Sequence, residues 1–187
     1  MKVALHACCG PCLIEPLDAL AETHEITVVF ANPNVQPAEE YERRRDTLCE
    51  WAASRTLQTV EVPYDPTAWE EAVRGTRDDP ASRCPRCYAL RLRQTAAEGA
   101  RLGCDALATT LSVSPYQDPE AIDEAGSRAA AEYGLVWLFE DYRPRYPEAT
   151  RRAREDGMYR QNYCGCLPSK VEAEEERARR RAERARR

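Results

Sequence analysis

Seven of the nine cysteines in this 187-residue chain fall into three knots: Cys8-Cys9-Gly10-Pro11-Cys12, Cys84-Pro85-Arg86-Cys87 and Cys164-Gly165-Cys166. Thiolates are soft ligands for zinc and iron–sulfur clusters, and closely spaced pairs carry two electrons as dithiol and disulfide. The first two knots hold five thiols, one more than a tetrahedral zinc accepts. Adjacent side chains such as Cys8 and Cys9 are expected to diverge. That geometry suits different irons of a cube, or two neighbouring metals, better than one small ion. A [4Fe–4S] cluster is the leading expectation, with a structural zinc and plain thiol chemistry as rivals. The third knot is different. One residue between two cysteines makes a small, strained disulfide ring, easily reduced, and Gly165 supplies the freedom to close it. Cys164 and Cys166 are therefore read as a two-electron switch, with extra metal ligation the alternative. Cys49 and Cys104 stand alone and are expected in the core.

The length suits one domain with its own hydrophobic core, so disulfides are not needed to hold the fold. No export signal precedes the first strand-like run and no apolar stretch is long enough for a bilayer, so a cytoplasmic protein with reduced thiols and no membrane partner is expected. The net charge of −5 is unevenly spread: residues 1–142 carry 13 Lys/Arg against 24 Asp/Glu, and residues 143–187 carry 14 against 8. A basic end on an acidic body suits a polyanion approaching one face. A solvated, salt-bridged terminal helix is the plainer reading.

These residues need a frame. Val3-Ala4-Leu5 is a short strand-like run ending at His6, and the helical spacing of Leu13, Leu17 and Leu20 follows from Cys12. Further strands are expected at 26–30, 57–62, 105–110 and 135–139. Helices are expected from Pro37 to about Ser54, from Asp65-Pro66 through Val73, from Cys84 to about Leu102, and over 118–133. Residues 75–83 read as a polar loop. Strands alternating with helices predict an α/β fold with a mostly parallel five-stranded sheet. The first knot, the second knot and the loop Ser112–Asp118 should open at the carboxyl edge of that sheet, with Cys84 and Cys87 in the first turn of their helix. Domain limits are set at 1–167 for the α/β metallo-redox domain and 168–187 for a charged C-terminal helix, partly disordered by expectation.

The ordered motifs His6-Ala7-Cys8-Cys9-Gly10-Pro11-Cys12, Asn32-Pro33-Asn34 through Glu40-Tyr41, Cys84-Pro85-Arg86-Cys87-Tyr88 with Arg91-Leu92, Thr109 to Ser112 with Ser114-Pro115, and Gly157 through Cys166 resemble the cobalamin-independent epoxyqueuosine reductases, QueH. The resemblance runs from Leu5 to Ser169. Gln36 stands where many members carry histidine, and Leu167-Pro168 replaces a more usual aromatic. The resemblance implies a Rossmann-like three-layer fold akin to adenine-nucleotide hydrolases, without a glycine-rich phosphate loop at the first knot. It implies reduction of epoxyqueuosine to queuosine at the wobble position of tRNA. It also implies that Cys8, Cys9, Cys84 and Cys87 hold the cluster and that Cys164 and Cys166 form the redox-active disulfide. Cys12 is left to a second mononuclear metal, iron or zinc.

Removing an epoxide oxygen to leave an alkene takes two electrons and two protons, so an external electron donor is expected. Asp118 and Tyr116 are the expected proton donors, and His6 a weaker one, since a strand-end histidine is more often packed core. Arg143, Arg145, Arg151, Arg152 and Arg160 are expected on phosphates, with Tyr159 and Tyr163 stacking on bases. Oligomeric state is left open, with a monomer expected. Rival functions are another iron–sulfur reductase or lyase on a small molecule, and a zinc-binding RNA module.

Overall fold

A computed structural model describes residues 1–186. Five strands form one sheet: β1 (Lys2–His6), β2 (Glu25–Phe30), β3 (Gln58–Glu61), β4 (Ala106–Thr109) and β5 (Val136–Leu138). Their order is β3-β2-β1-β4-β5, and every neighbouring pair is parallel. The sheet is thus wholly parallel rather than mostly so.

Buried β1 shows why the alternation works. Val3 and Leu5 face one side, where α1 (Gly10–Ala21) and α2 (Ala38–Ala53) supply Leu13, Ile14, Leu17, Leu48 and Trp51. On the opposite face, α4 (Pro80–Arg101) and α5 (Pro119–Glu132) pack Leu92, Ala96, Ile122 and Ala129 around Leu107 of β4. Helices on both faces of a parallel sheet make the expected three layers. Gly99 sets the spacing of α4: a Cβ there would lie 2.6 Å from that of Ala4, so only glycine lets the helix seat this closely on β1.

Three further α-helices are α3 (Pro66–Ala72), α6 (Tyr146–Glu155) and the 19-residue α7 (Leu167–Ala185). The terminal helix starts one residue before the expected boundary, and Arg187, the last residue of that expected segment, lies outside the described residues. No helix among the described residues is long and apolar enough to cross a membrane.

One boundary is corrected. Residues 80–83 are helical, not loop, and Cys84 and Cys87 lie past the first turn of α4. Asp79 accepts from the Ala81 amide (3.1 Å) and the Ser82 hydroxyl (2.5 Å), with Pro80 at the first helical position. This capping pair starts a helix inside a polar stretch that composition alone marks as loop.

Candidate metal centre

The strand order reverses between β1 and β4, so the loops after them flank the crevice where parallel sheets bind ligands. Thr110, directly after β4, ties the two loops together. Its hydroxyl accepts from the Cys8 amide at 3.3 Å and lies 3.6 Å from the Cys8 sulfur. Cys9 is the N-cap residue of α1, and Cys12 sits one turn in. The sulfurs of Cys8, Cys9 and Cys12 all lie within 4.8 Å of one another, and Cys8 and Cys9 are 3.8 Å apart.

That closeness corrects the expected divergence of Cys8 and Cys9. The chain bends between strand and helix at these two residues, and the bend swings both sulfurs to one side. Metal–sulfur bonds of about 2.3 Å give a tetrahedral edge of about 3.8 Å, so this pair can share one ion. All nine cysteines are free thiols.

Electrostatics single out one sulfur. Hydrogen bonds with Cys12 and then Cys9 hold the Cys8 thiol well below its ordinary range against the cost of burial, aided by the charge of Arg91. Bonding to Cys8 and Cys9 pushes Cys12 up. The bond to Cys12 pulls Cys9 down, but the bond to Cys8 and burial raise it to about 12. Burial lifts Cys84 to about 11 and Cys87 to about 12. Within the triad Cys8 gives up its proton most readily, and a cation binding there would displace the protons of Cys9 and Cys12.

The terminal knot meets the middle one. Cys166 and Cys87 share a buried cluster with Trp69 and Val73, and negative charge on Cys164 or Cys166 would raise both Cys84 and Cys87. The Cys164 sulfur accepts from Gln117 Nε2 at 3.4 Å, and Gln117 Oε1 accepts from the Tyr88 hydroxyl at 2.6 Å. Gly165 has φ +150°, and a Cβ there would meet Asn34 Nδ2 at 2.8 Å. Its freedom therefore serves close packing of this knot against the loop after β2.

Polar groups missed in the sequence surround these thiols. Gln161 Nε2 donates to the Cys9 sulfur at 2.8 Å. Arg44, Arg83 and Arg91 are each at most 2% exposed. Arg44 donates to the carbonyls of Cys164 (2.7 Å) and Tyr163 (3.1 Å) and pairs with Glu40. The signal was present: Arg44 and Arg91 fall at helical spacing among apolar residues, Tyr41 to Leu48 and Tyr88 to Leu92, where a cation needs a reason. Buried side-chain atoms without partners gather here as well. They include Asn34 Nδ2 and Oδ1, Trp69 Nε1, Gln161 Oε1, and Arg91 Nε and Nη1. Soft donors ringed by unused N–H groups and cations fit an anionic thiolate-bound metal group.

The remaining expected residues are placed as follows. Tyr116 is 75% exposed, and Asp118 caps α5 by accepting from the amides of Glu120 and Ala121. His6 is buried between Thr109 Oγ1 (3.0 Å) and the Ala31 carbonyl (3.3 Å); burial and then Arg91 hold its pKa down to about 3, so it is a neutral packed residue. Arg143 pairs with Asp141, Arg145 with Glu140, Arg151 with Glu148 and Glu155, and Arg152 with Glu15 and Asp18. Tyr159 donates to Glu40 with Arg43 over its ring, and Tyr163 donates to the Gln36 carbonyl. Arg160 is exposed. The lone Cys104 is buried, and Cys49 packs half-buried against the main core.

A family model described as "Epoxyqueuosine reductase QueH" matches residues 3–172. The chain belongs to the QueH family. It is 34% identical over 183 residues to the epoxyqueuosine reductase QueH of Thermotoga maritima, covering 94% of each chain. It is 33% identical over 176 residues to that of Streptococcus pyogenes serotype M1, covering 89% of this chain and 69% of the relative. Against the Haemophilus influenzae QueH the identity is 31% over 175 residues, covering 90% of this chain and 71% of the relative. The three cysteine knots all lie within the matched residues, so the thiol centre is a feature of the segment shared with QueH.

Proposed function

We propose that this chain reduces the epoxide of epoxyqueuosine in tRNA to queuosine in the cytoplasm, using a [4Fe–4S] cluster on Cys8, Cys9, Cys84 and Cys87. Cys12, whose sulfur lies within 4.8 Å of those of Cys8 and Cys9, would be a ligand to a second, mononuclear iron or zinc beside the cluster. The supporting observation is the junction of the three knots: a close Cys8–Cys9–Cys12 triad, a buried Arg91 feeling both Cys8 and Cys87, and Cys166 packed with Cys87. When bound, such a cluster supplies a Lewis-acidic iron and low-potential electrons.

The chain's own residues have definable tasks. Closing the Cys164/Cys166 dithiol to a disulfide releases two electrons and two protons, which balance the conversion of an epoxide to an alkene and water. An external donor then reopens the disulfide. Gln117 orients the Cys164 sulfur through its amide N–H. Tyr116, exposed in the same loop, can reach a nucleotide at the crevice and hand a proton to the departing oxygen, with Asp118 next to it at the helix start. Arg160 and its basic neighbours face the phosphates, and Tyr159 and Tyr163 the bases, of an unstacked anticodon. The chain acts as a monomer.

The test is anaerobic purification with iron and sulfide quantitation, followed by turnover on epoxyqueuosine tRNA and on the free nucleoside. Bound iron and sulfide with conversion of the tRNA alone are expected. A colourless zinc protein, or conversion only of the free nucleoside, would overturn the reading.

A further inference from the structure

Three arginines are buried at the thiol centre, and two have carboxylates. Arg44 pairs with Glu40, and Arg83 with Glu172. Arg91 has none among the described residues. At 1% exposure its Nη2 donates to the neutral Asn32 Oδ1 at 2.6 Å, while Nε and Nη1 have no hydrogen-bond partner among the described residues. Asn32 is oriented in turn by donating to the carbonyl of Ala7, the residue before Cys8, at 2.9 Å. A guanidinium cannot shed its charge inside a protein, and a buried cation without an anion is strongly unfavourable. The groups that would bring negative charge to it as thiolates are Cys87, Cys8 and Cys164, one from each knot.

We infer that Arg91 is the counter-cation of the thiolate centre, held by Asn32 so that one buried positive charge offsets the anionic metal group shared by the first and second knots. It is a positioning residue: its burial keeps it from touching substrate. The inference rests on the metal reading above and adds the group that makes such a centre tolerable in a dry interior. The bond from Arg91 to the uncharged Asn32 aims the charge, and the unpartnered N–H groups on Nε and Nη1 are what an anion there would occupy.

The experiment uses the full-length, iron-loaded protein purified anaerobically, compared with R91Q, R91K and N32A. Iron release to a chelator and the midpoint potential are measured. R91Q should lose iron about tenfold faster or more, as second-shell changes at metal sites commonly do. Its potential should fall, because the reduced, more negative state loses more stabilisation; tenfold corresponds to about 59 mV for one electron. R91K, which keeps the charge, should stay close to wild type in potential, while N32A, which keeps the charge but releases it from Asn32, should fall between wild type and R91Q. If R91Q is insoluble, R91M serves as the neutral variant. Equal defects in R91K and R91Q mean that hydrogen bonding or shape matters rather than charge, and overturn the proposal. So does an R91Q protein with wild-type iron retention and potential. A wild-type protein without iron overturns the metal reading itself, a distinguishable failure.

Discussion

Arg83 on α4 grips Glu172 on the terminal helix through two N–H···O bonds of 2.9 Å each. Arg83 is buried and Glu172 is 43% exposed, so the pair pins α7 against the helix that carries the second cysteine knot. Ser169 adds a second anchor by accepting from the Gly165 amide at 3.2 Å.

Glu172→Ala leaves Arg83 buried without its carboxylate. The expected loss is roughly 2 kcal/mol in urea unfolding, below the full cost of breaking a buried pair because Glu172 is partly solvated. Limited proteolysis within the arginine-rich tail should accelerate as well. An unchanged midpoint together with unchanged cleavage would mean that α7 is docked by other contacts.

Replacing the cysteines one at a time should sort them into two groups. Cys8→Ser, Cys9→Ser, Cys84→Ser and Cys87→Ser should each lose most of the bound iron, since a missing thiolate weakens a site at least as much as a missing outer partner, about tenfold or more. Cys164→Ser should retain iron while turnover falls to background. Iron loss in Cys164→Ser equal to that in Cys84→Ser would assign the terminal knot to metal instead.

Acid should weaken the start of α4 specifically. The Ser82 hydroxyl beside Asp79 holds its carboxyl below the ordinary 3.8, aided by the Ala81 and Ser82 amides. A lowered folded pKa adds stability that is full above the unfolded value and is lost as pH falls through the folded one. Asp79→Ala should therefore melt lower than wild type at neutral pH, and the gap should narrow as pH falls below the ordinary carboxylate range and the folded carboxyl takes up its proton. A gap that stays constant through that acid range would show that the carboxylate is not the source.

Phosphate contacts leave a salt signature, and the arginines differ in how free they are. Arg160→Ala should reduce the slope of log affinity for tRNA against log salt by about 0.7–0.9. Arg151→Ala with Arg152→Ala should flatten it by less than two such contacts, because both guanidiniums are paired with carboxylates of this chain. The opposite ranking would move the RNA face onto α6.

The alternation of apolar strands with amphipathic helices was legible because period-two and period-3.6 patterns are local properties of the chain. The knots were legible for the same reason, since cysteine spacing needs no partner to be seen. The start of α4 was not: Asp79-Pro80 lies in a polar stretch, and the capping signal was masked by composition. The lean of Cys8 and Cys9 toward each other was hidden too, because it depends on a bend between β1 and α1 that residue types alone do not reveal.

The amino-acid order therefore determined which atoms are available: soft sulfurs in three groups, on an α/β frame whose loops gather at one edge. Only the tertiary structure decided their company. Gly99 seats α4 against β1, which carries Arg91 toward the first knot, and the packing of Gly165 against Asn34 brings the last knot beside the second. Local periodicity cannot encode these meetings, because each depends on how closely two backbones approach across long stretches of chain. The charge balance at the thiols is a product of that approach.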